Sequence, residues 1–382
     1  MIEIKRTKDC CGCSGCVQVC PRKCISINKT INGFLYPVVD KDSCVECGLC
    51  EQVCPVINQF DERTPLKVYA LKYDNDVIRQ SSSSGGAFTL LAEQVINQGG
   101  VVFGARFDAV YDVVHDYVES RDDLRLFRGS KYVQSYIGQS FIQVKEFLQS
   151  GRKVMYTGTP CQISALKRYL RKDYANLITV DFICHGVPNQ KLWEYYLNSE
   201  KKDSFSKLYS TNFRSKLYGW HNFSLQMEYV RKDGSTSSFY ESHNSNPYFQ
   251  LYMSNLMLRP SCYECPSRSG KSRSDITLGD FWGIDKVMPE FDDDKGTSLF
   301  IINNYIDLDI WNRSDVIICE VNYERSIENN QSYLHSPVQP ILPITLKWFE
   351  AMDFKMVMKY IFPIYLFIYK AQNKLRSLLG YK

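Results

Sequence analysis

Beyond residue 66 the chain alternates short apolar segments, typical of buried strands, with longer amphipathic segments typical of helices. Such alternation indicates an α/β domain with a largely parallel central sheet. Residues from about 205 to 240 differ, because within them two strand-like segments, in 223–240, flank Asp233–Gly234 and therefore predict an antiparallel hairpin. The predicted strands lie at 67–73, 101–107, 153–158, 177–186, 275–284 and 297–303, and the predicted helices lie within 81–100, 139–151, 159–172 and 189–201.

The composition is that of a globular protein, with 44% hydrophobic and 23% charged residues. The formal charge of +4 is small for 382 residues, and no basic block is suited to nucleic acid. The charged start MIEIKRTKDCC lacks the apolar core of a signal peptide, and no segment is long enough to span a bilayer. Fifteen cysteines, an odd number gathered in clusters, favour metal or redox chemistry over a disulfide framework. We therefore expect a cytoplasmic protein.

Ten of the cysteines lie before residue 55, in two runs with the spacing C-x2-C-x2-C-x3-C followed by proline. This is the bacterial ferredoxin spacing, in which the fourth cysteine of each run binds the other 4Fe–4S cluster. A pair of zinc knuckles is the alternative, but zinc sites more often use two pairs of ligands. Cluster one is predicted on Cys10, Cys13, Cys16 and Cys54, and cluster two on Cys44, Cys47, Cys50 and Cys20, with Cys11 and Cys24 as small apolar residues outside both sets.

Further cysteines fall at the carboxyl edge of the predicted sheet, where open α/β sheets bind ligands. Thr159 is a good helix N-cap, so Cys161 lies in the first turn of a helix, and Cys184 ends a buried strand. The pair Cys262 and Cys265 needs two more ligands, and two interpretations are open. Either these residues hold a third 4Fe–4S cluster with Cys161 and Cys184, or the pair forms a zinc or dithiol site beside a lone catalytic thiol at Cys161. Cys319, in an apolar strand, is predicted to be a core residue.

The run SSSSGGAF, Ser81–Phe88, puts hydroxyls and glycines at a helix N-terminus, where free N–H groups suit a phosphate. A purely structural Ser/Gly turn is the alternative.

Several motifs together resemble the coenzyme F-420 hydrogenase/dehydrogenase beta-subunit family. They are SSSSGGAFTLLAEQVINQGGVVFGARFD, LFRGSKYVQS, GTPCQISALKRYL, DFICHGVP, LRPSCYECP, DITLGDFWGI and DKGTSL, and they run in order from about Lys67 to past Phe300. The resemblance implies FAD in the α/β domain beside a 4Fe–4S cluster, and it likewise supports Cys161, Cys184, Cys262 and Cys265 as ligands. The implied FAD contacts are Ser83, Ser84, Gly85, Gly86, Lys131, Thr157, Gly158 and Thr159.

Other residues in these motifs have two interpretations each. His185 is a candidate for proton exchange near the flavin, and a structural histidine is the alternative. Lys131 could also be a solvated surface lysine. Arg214, Lys216 and Trp220 could line a substrate entrance or belong to a solvated hairpin with a packing tryptophan.

The last segment, Lys355–Lys382, is aromatic and apolar at first and then basic. It is too short and interrupted to span a bilayer. One interpretation is an interfacial helix, which would add peripheral membrane contact at the cytoplasmic face. The alternative, slightly favoured, is a helix docked on the protein or on a partner.

We therefore expect an α+β, α/β chain: a ferredoxin domain with two 4Fe–4S clusters, followed by a larger α/β flavin-binding domain with a mixed sheet and an antiparallel excursion. The predicted boundaries are 1–58 for the ferredoxin domain, 66–335 for the FAD-binding domain, with parts 66–145 and 150–335, and 345–382 for the tail.

The leading functional hypothesis is an iron–sulfur flavoenzyme that exchanges electrons between a ferredoxin-like donor, its clusters, FAD and a small-molecule substrate or a deazaflavin. A non-catalytic electron-transfer subunit of a larger complex is the alternative, and a redox sensor is a third class. Neither the substrate nor the direction of electron flow follows from the motifs.

Overall fold

A computed structural model describes residues 1–30, 32–200, 205–311 and 313–380. The predicted helix end at Lys201 and the last tail residue, Lys382, lie outside these ranges, as do residues 31, 202–204 and 312 of the predicted domains.

The N-terminal domain is a small α+β unit built around the two cysteine runs. One helix follows the start of each run, and a two-stranded antiparallel sheet lies between the runs. Its buried core is small, and four of the six residues at its centre are cysteines: Ile2, Cys16, Cys24, Ile25, Cys50 and Cys54. The elements are α1 (Gly15–Val19), β1 (Ile25–Lys29), β2 (Leu35–Val39) and α2 (Leu49–Gln52).

The large domain is organised around an eight-stranded sheet in the order β13-β3-β12-β11-β7-β6-β4-β5. The four central strands, β11, β7, β6 and β4, are parallel, and the flanking pairs are antiparallel. These strands are β3 (Lys67–Tyr73), β4 (Val101–Phe107), β5 (Val113–Val118), β6 (Val154–Gly158), β7 (Leu177–Phe182), β11 (Ile276–Asp280), β12 (Ser298–Ile302) and β13 (Val316–Glu320).

Helices cover both faces of this sheet, as expected when the inner strands are parallel and apolar. Helix α4 packs on one face through Leu90 and Val95, whereas α5 and α6 pack on the other through Phe141 and Ile163. The helices between β3 and residue 200 are α3 (Asp76–Ser81), α4 (Ala87–Asn97), α5 (Ser140–Gln149), α6 (Pro160–Leu170) and α7 (Gln190–Glu200).

The predicted antiparallel excursion is a separate three-stranded sheet in the order β10-β9-β8. It packs with the surrounding helices on a second core rich in aromatic side chains, including Trp193, Phe213 and Tyr248. Its strands are β8 (Phe205–Ser215), β9 (Ser224–Arg231) and β10 (Thr236–Ser242), and the remaining helices are α8 (Pro247–Met253), α9 (Ile284–Val287), α10 (Tyr323–Ile327), α11 (Lys347–Ala351), α12 (Phe354–Met356) and α13 (Phe362–Leu378).

The fold class predicted from the sequence is confirmed, with three corrections of detail. The strand predicted at 177–186 ends at Phe182, so Cys184 and His185 lie in the loop that follows it. The sheet is parallel only at its centre. Strand β5, an edge strand, was not predicted, because the consecutive residues His115, Asp116 and Tyr117 interrupt its valines.

The C-terminal tail docks on the large domain by one face. Phe354, Val357, Phe362 and Tyr369 are buried in the aromatic core, and the Tyr369 hydroxyl donates to Val338 O at 3.1 Å. The alternative of a docked helix is therefore correct for this face. Within the described residues, no helix is long and apolar enough to cross a membrane.

Candidate functional site

Two small voids in the N-terminal domain are lined by its cysteines. Each void joins three cysteines of one run to the fourth cysteine of the other, which is the grouping that the spacing predicts. The first is lined by Cys10, Cys13, Cys16 and Cys54 together with Cys11, and the second by Cys20, Cys44, Cys47 and Cys50 together with Cys24.

A much larger cavity, of about 310 Å³, opens at the carboxyl edge of the parallel strands. The ends of β6 and β7, the loops that follow these two strands, and residues 277–280 of β11 form much of its wall. Parallel neighbours end at the same edge, so loops distant in sequence meet there.

The four cysteines of the predicted third cluster all line this cavity. Cys161 lies in the first turn of α6, whose N-terminus has the predicted Thr159 cap and Pro160. Cys184 follows β7, and Cys262 and Cys265 come from a 3-10 turn beyond α8. The fold thus brings together residues from three separate segments.

Cys11, expected to be a small apolar residue, is buried but also reaches this cavity. Cys161 packs against the buried cluster that contains Cys11, and the Cys11 thiol together with burial keeps the pKa of Cys161 well above its usual range. The loop of the first cysteine run therefore touches the wall of the large cavity. Cys319, expected in the core, is only half-buried, because β13 is an edge strand.

The serine-rich loop before α4 lies against the same cavity. The Ser83 hydroxyl accepts a hydrogen bond from Ser130 N at 2.7 Å, and the Ser84 hydroxyl donates to Thr297 O at 2.6 Å. Gly86, with φ +90, is the N-cap of α4. The implied FAD contacts that line the cavity are Ser83, Ser84, Gly86, Lys131, Thr157, Gly158 and Thr159.

Gly85 is the exception, since it lies behind the loop rather than in the cavity wall. A Cβ there would be 2.2 Å from Leu71 O, and its N–H already donates to the Ser298 hydroxyl at 3.0 Å. Glycine is required at this position by the close approach of β3. Its expected contact with the flavin stays a prediction.

Arg214, Lys216 and Trp220 are buried and do not line this cavity, so neither sequence interpretation describes them fully. Lys216 Nζ donates to Arg79 O, Ser84 O and Lys295 O at 2.7–2.8 Å, and therefore braces the serine-rich loop from behind. Trp220 packs on Trp282 with ring centroids 4.7 Å apart, so only the packing tryptophan was foreseen.

A buried hydrogen-bonded chain, which sequence reasoning missed, holds the turn after β6. Gln162 Nε2 donates to the Ser135 hydroxyl at 2.9 Å, His115 Nδ1 lies 2.9 Å from that hydroxyl, and His115 Nε2 lies 2.9 Å from Thr157 O. A carbonyl only accepts, so Nε2 carries the proton and Nδ1 accepts from Ser135. Burial lowers the pKa of His115 to about 4, which keeps the ring neutral. No sequence pattern pointed to His115, because the strand that carries it was not predicted.

Lys131 is half-buried in the cavity wall, and its Nζ donates to Leu126 O at 3.1 Å and to Arg128 O at 3.0 Å. Burial lowers its pKa to about 7. This environment differs from that of a freely solvated lysine, and it places a titrating amine beside the space.

His185 also lines the cavity, and both of its ring nitrogens have protein partners. Nε2 donates to Asn255 Oδ1 at 2.6 Å, and Nδ1 lies 3.4 Å from the Ser332 hydroxyl. Burial lowers the pKa of this histidine. Proton exchange by His185 stays a prediction, and it would require one of these hydrogen bonds to open.

The donor set at the cavity fits an iron–sulfur cluster. Burial raises the pKa of the Cys262 thiol to about 12, so a thiolate there needs a bound cation. Arg268 Nε, beside these cysteines, is buried without a hydrogen-bond partner. Among the described residues, no three Cys, His, Asp or Glu side chains surround a point as they would a single metal ion. The four thiolates of a 4Fe–4S cluster each bind a different iron.

Comparison with known proteins identifies two families in the chain. Residues 151–320 match the family described as the C terminus of the coenzyme F420 hydrogenase/dehydrogenase beta subunit. Residues 9–58 match the 4Fe-4S dicluster domain. The second match covers both cysteine runs, and the first contains Cys161, Cys184, Cys262 and Cys265.

Individual relatives agree with this division. The F subunit of the F(420)H(2) dehydrogenase of Methanosarcina mazei is 22% identical over 179 residues, which are 43% of this chain and 49% of that protein. The chain thus spans about half of that relative's length. A 7Fe ferredoxin of Hydrogenibacillus schlegelii is 42% identical over 58 residues, 15% of this chain and 68% of the ferredoxin.

Among solved structures, the F420-reducing [NiFe] hydrogenase complex of Methanosarcina barkeri contains a chain that superimposes with a TM-score of 0.44 and 16% identity, over 83% of this chain and 94% of that one. The two family matches assign named domains to defined residue ranges, and they are therefore more specific than this superposition. The chain therefore carries, at residues 151–320, a domain of the family described as the C terminus of the coenzyme F420 hydrogenase/dehydrogenase beta subunit, and at residues 9–58 a 4Fe-4S dicluster domain.

Proposed function

We propose that this protein is an iron–sulfur flavoprotein oxidoreductase. It takes electrons from a ferredoxin-like donor, or returns them to it, and its substrate is a small molecule or a deazaflavin. One observation carries the proposal: the cysteines of the proposed third cluster and most of the proposed FAD contacts line the same cavity of about 310 Å³. A cavity of this size is within the usual range for small-molecule and cofactor sites.

Two kinds of chemistry line the cavity. Ser83, Ser84 and the N-terminus of α4 offer hydroxyls and free N–H groups to a phosphate, and Lys131 offers a titrating amine. Cys161, Cys184, Cys262 and Cys265 offer four thiolates. The Thr157–Thr159 turn also lines the cavity and is held by the His115 chain.

When bound, a flavin converts between one-electron and two-electron transfer, and iron–sulfur clusters handle single electrons. The chain's own part is to hold these groups close together and apart from water. Cys11, in the first N-terminal cysteine loop, lines the same cavity as Cys161, so the proposed third cluster would lie between the ferredoxin domain and the flavin.

A non-catalytic electron-transfer subunit of a larger complex is the second candidate. The curated relative from Methanosarcina mazei supports it, because that protein is itself one subunit of a dehydrogenase. If purified protein with bound FAD reduces no small molecule until a partner protein is added, this candidate is favoured. Absence of stoichiometric flavin would favour a redox sensor instead.

The tail suggests a further partner. Its outer face exposes Ile364, Phe367, Leu375 and Leu378, and the segment 355–380 contains five Lys or Arg and no acidic residue. An apolar face flanked by basic side chains is suited to an anionic lipid surface, so we propose peripheral membrane contact at the cytoplasmic face. The proposed thiolate ligands likewise favour a reducing compartment.

The deciding experiment is to measure iron, acid-labile sulfide and flavin per chain in protein purified without oxygen. We expect about twelve irons and one FAD, corresponding to three cubanes. A Cys262→Ser/Cys265→Ser double variant should lose about four irons, whereas Cys319→Ser, which changes a cysteine outside every proposed set, should lose none. About eight irons in the unmodified protein would contradict the third cluster. The proposed electron-transfer route between the ferredoxin domain and the flavin would then lack its intermediate cluster.

A further inference from the structure

The segment that supplies Cys262 and Cys265 also carries an arginine three residues before the pair and another three residues after it. Together Arg259, Cys262, Cys265 and Arg268 form the spacing R-x2-C-x2-C-x2-R. Both arginines are buried, with 0% and 7% of their surface exposed. Arginine is rarely buried to this extent unless its charge is paired.

Arg259 lies at the contact between the ferredoxin domain and the large domain. Its Nε donates to Cys10 O at 2.8 Å, its Nη2 donates to Leu35 O at 2.9 Å, and the same Nη2 lies 3.5 Å from Cys10 Sγ. Its Nη1 donates to Gln134 Oε1 at 3.0 Å, and Gln134 in turn donates to Cys11 O at 3.1 Å. The guanidinium therefore contacts a proposed ligand of cluster one while its backbone begins the turn that carries Cys262.

Arg268 lies on the other side of the cysteine pair. Its Nη2 donates to His185 O at 3.0 Å and its Nη1 donates to Ser332 O. Its Nε has no partner, although it is buried in the wall that also contains Cys184, Cys262 and Cys265. A buried donor without a partner, on a residue that lines a cavity shared with four thiols, points to a missing acceptor.

Neither guanidinium has a carboxylate as its counter-charge within the ranges that the structure describes. Every hydrogen bond of both side chains goes to a carbonyl or amide oxygen or to sulfur. A buried charge without a counter-charge is costly. The groups left to balance these two cations are the cysteine thiolates, and a cluster bound by four thiolates is an anion.

We propose that Arg259 and Arg268 are the buried counter-charges of the iron–sulfur sites and raise their reduction potentials. Arg259 acts on cluster one and on the third cluster, and Arg268 acts on the third cluster alone. Both are positioning residues, since neither takes part in electron exchange itself. This inference rests on the third cluster of the proposed function.

The sign of the effect follows from charge. One-electron reduction adds a negative charge to the site, and a fixed cation nearby stabilises the reduced form more than the oxidised form. Buried charges are screened far less than exposed ones, so the effect survives at physiological salt. Cluster potentials are known to depend on net charge and on hydrogen bonds to the sulfurs.

The test is a dithionite titration followed by electron paramagnetic resonance on anaerobic full-length protein. Arg268→Gln should lower one midpoint potential, with about a tenfold loss in the equilibrium constant for one-electron reduction, or about 59 mV. Arg259→Gln should lower two midpoints. Arg268→Lys and Arg259→Lys keep the charge and should recover most of the shift. The control is Arg22→Gln, since Arg22 is exposed beside the cysteines of cluster two. This substitution should change the equilibrium constant for one-electron reduction of cluster two less than about threefold.

The outcomes are distinct. Equal shifts in the Gln and Lys variants, or no shift in either, would overturn the proposal. If Arg259→Gln fails to assemble its clusters but Arg259→Lys assembles them, the need for charge is supported; failure of both variants would mean that Arg259 acts only by packing, and would overturn its part. The iron content of the unmodified protein distinguishes failure of the proposed third cluster from failure of the proposed role of the arginines. About eight irons would reject the third cluster itself, whereas about twelve irons with unmoved potentials would reject only the role of the arginines.

Discussion

At the scale of single residues, the environment of a side chain decides its role more than its type does. His185, in a motif, has both ring nitrogens occupied by Asn255 and Ser332. His115, which attracted no attention in the sequence, is the buried centre of the chain that holds the Thr157–Thr159 turn. A buried neutral histidine makes the free energy of unfolding depend on pH, because at mildly acidic pH the imidazole binds a proton in the unfolded chain but stays neutral in the folded protein.

This gives a prediction for His115. Its folded pKa of about 4 lies below the ordinary value of 6.5, so its contribution to stability is present above pH 6.5 and is lost as pH falls towards 4. Between pH 7.5 and 5 the free energy of unfolding should fall by about 2 kcal/mol through this group. His115→Gln should be less stable at pH 7.5 but should lack this part of the slope in urea unfolding.

The matched control is His335→Gln, since His335 is exposed. Its pH slope should equal that of the unmodified protein. An unchanged slope in His115→Gln would show that His115 is not the group that titrates.

At the scale of elements, the C-terminal helix divides into two faces with different surroundings. Its inner face packs in the aromatic core, so deleting everything after Phe354 would remove Val357, Phe362 and Tyr369 from that core. A truncation would therefore confuse loss of stability with loss of membrane contact. Substitutions on the outer face are the sharper test, because Phe367 is 73% exposed and Leu375 is 59% exposed.

We predict that the protein sediments with vesicles containing anionic lipid but not with purely zwitterionic vesicles. Each basic residue near such a surface contributes about 1 kcal/mol, and salt should weaken binding. The Phe367→Ser/Leu375→Ser double variant should bind at least about tenfold more weakly, since burial of two large side chains is lost. The control is Tyr305→Ser, which alters a 90% exposed tyrosine outside the C-terminal helix and should bind like the unmodified protein. Equal binding of the double variant and the control would contradict membrane contact through this face.

At the scale of the whole molecule, the two domains differ in what holds them together. The large domain has extensive apolar cores on both faces of its sheet. The central cluster of the N-terminal domain contains six buried residues among those that the structure describes, and four of them are cysteines. A domain of this size rarely folds on apolar burial alone and usually needs a metal or disulfides.

Removal of iron should therefore unfold the domains unequally. After chelation under reducing conditions, we expect amide protons in residues 1–58 to lose protection, while those in β4, β6 and β7 stay protected. Hydrogen exchange read by mass spectrometry on holo and iron-free protein measures this directly. If protection in residues 1–58 were unchanged, iron would not be what stabilises the N-terminal domain.

Much of this molecule was predictable because its signals are local. The C-x2-C-x2-C-x3-C spacing, the Thr159 cap with Pro160, and most inner strands depend on residues near one another in the chain. Local sequence could not show that Cys184 lies beyond its strand, or that Gly85 serves the packing of the loop on β3.

The sequence by itself determined that the N-terminal segment is a 4Fe-4S dicluster domain and that the rest is α/β, and it predicted the two cysteine sets, since periodicity and spacing are properties of short segments. Only the tertiary structure decided which distant groups meet. Parallel strands end at one edge, and so the segments of Cys161, Cys184 and Cys262 share a cavity with the serine-rich loop. Docking of the ferredoxin domain buried Arg259 against Cys10, a contact across 249 residues that no local pattern contains.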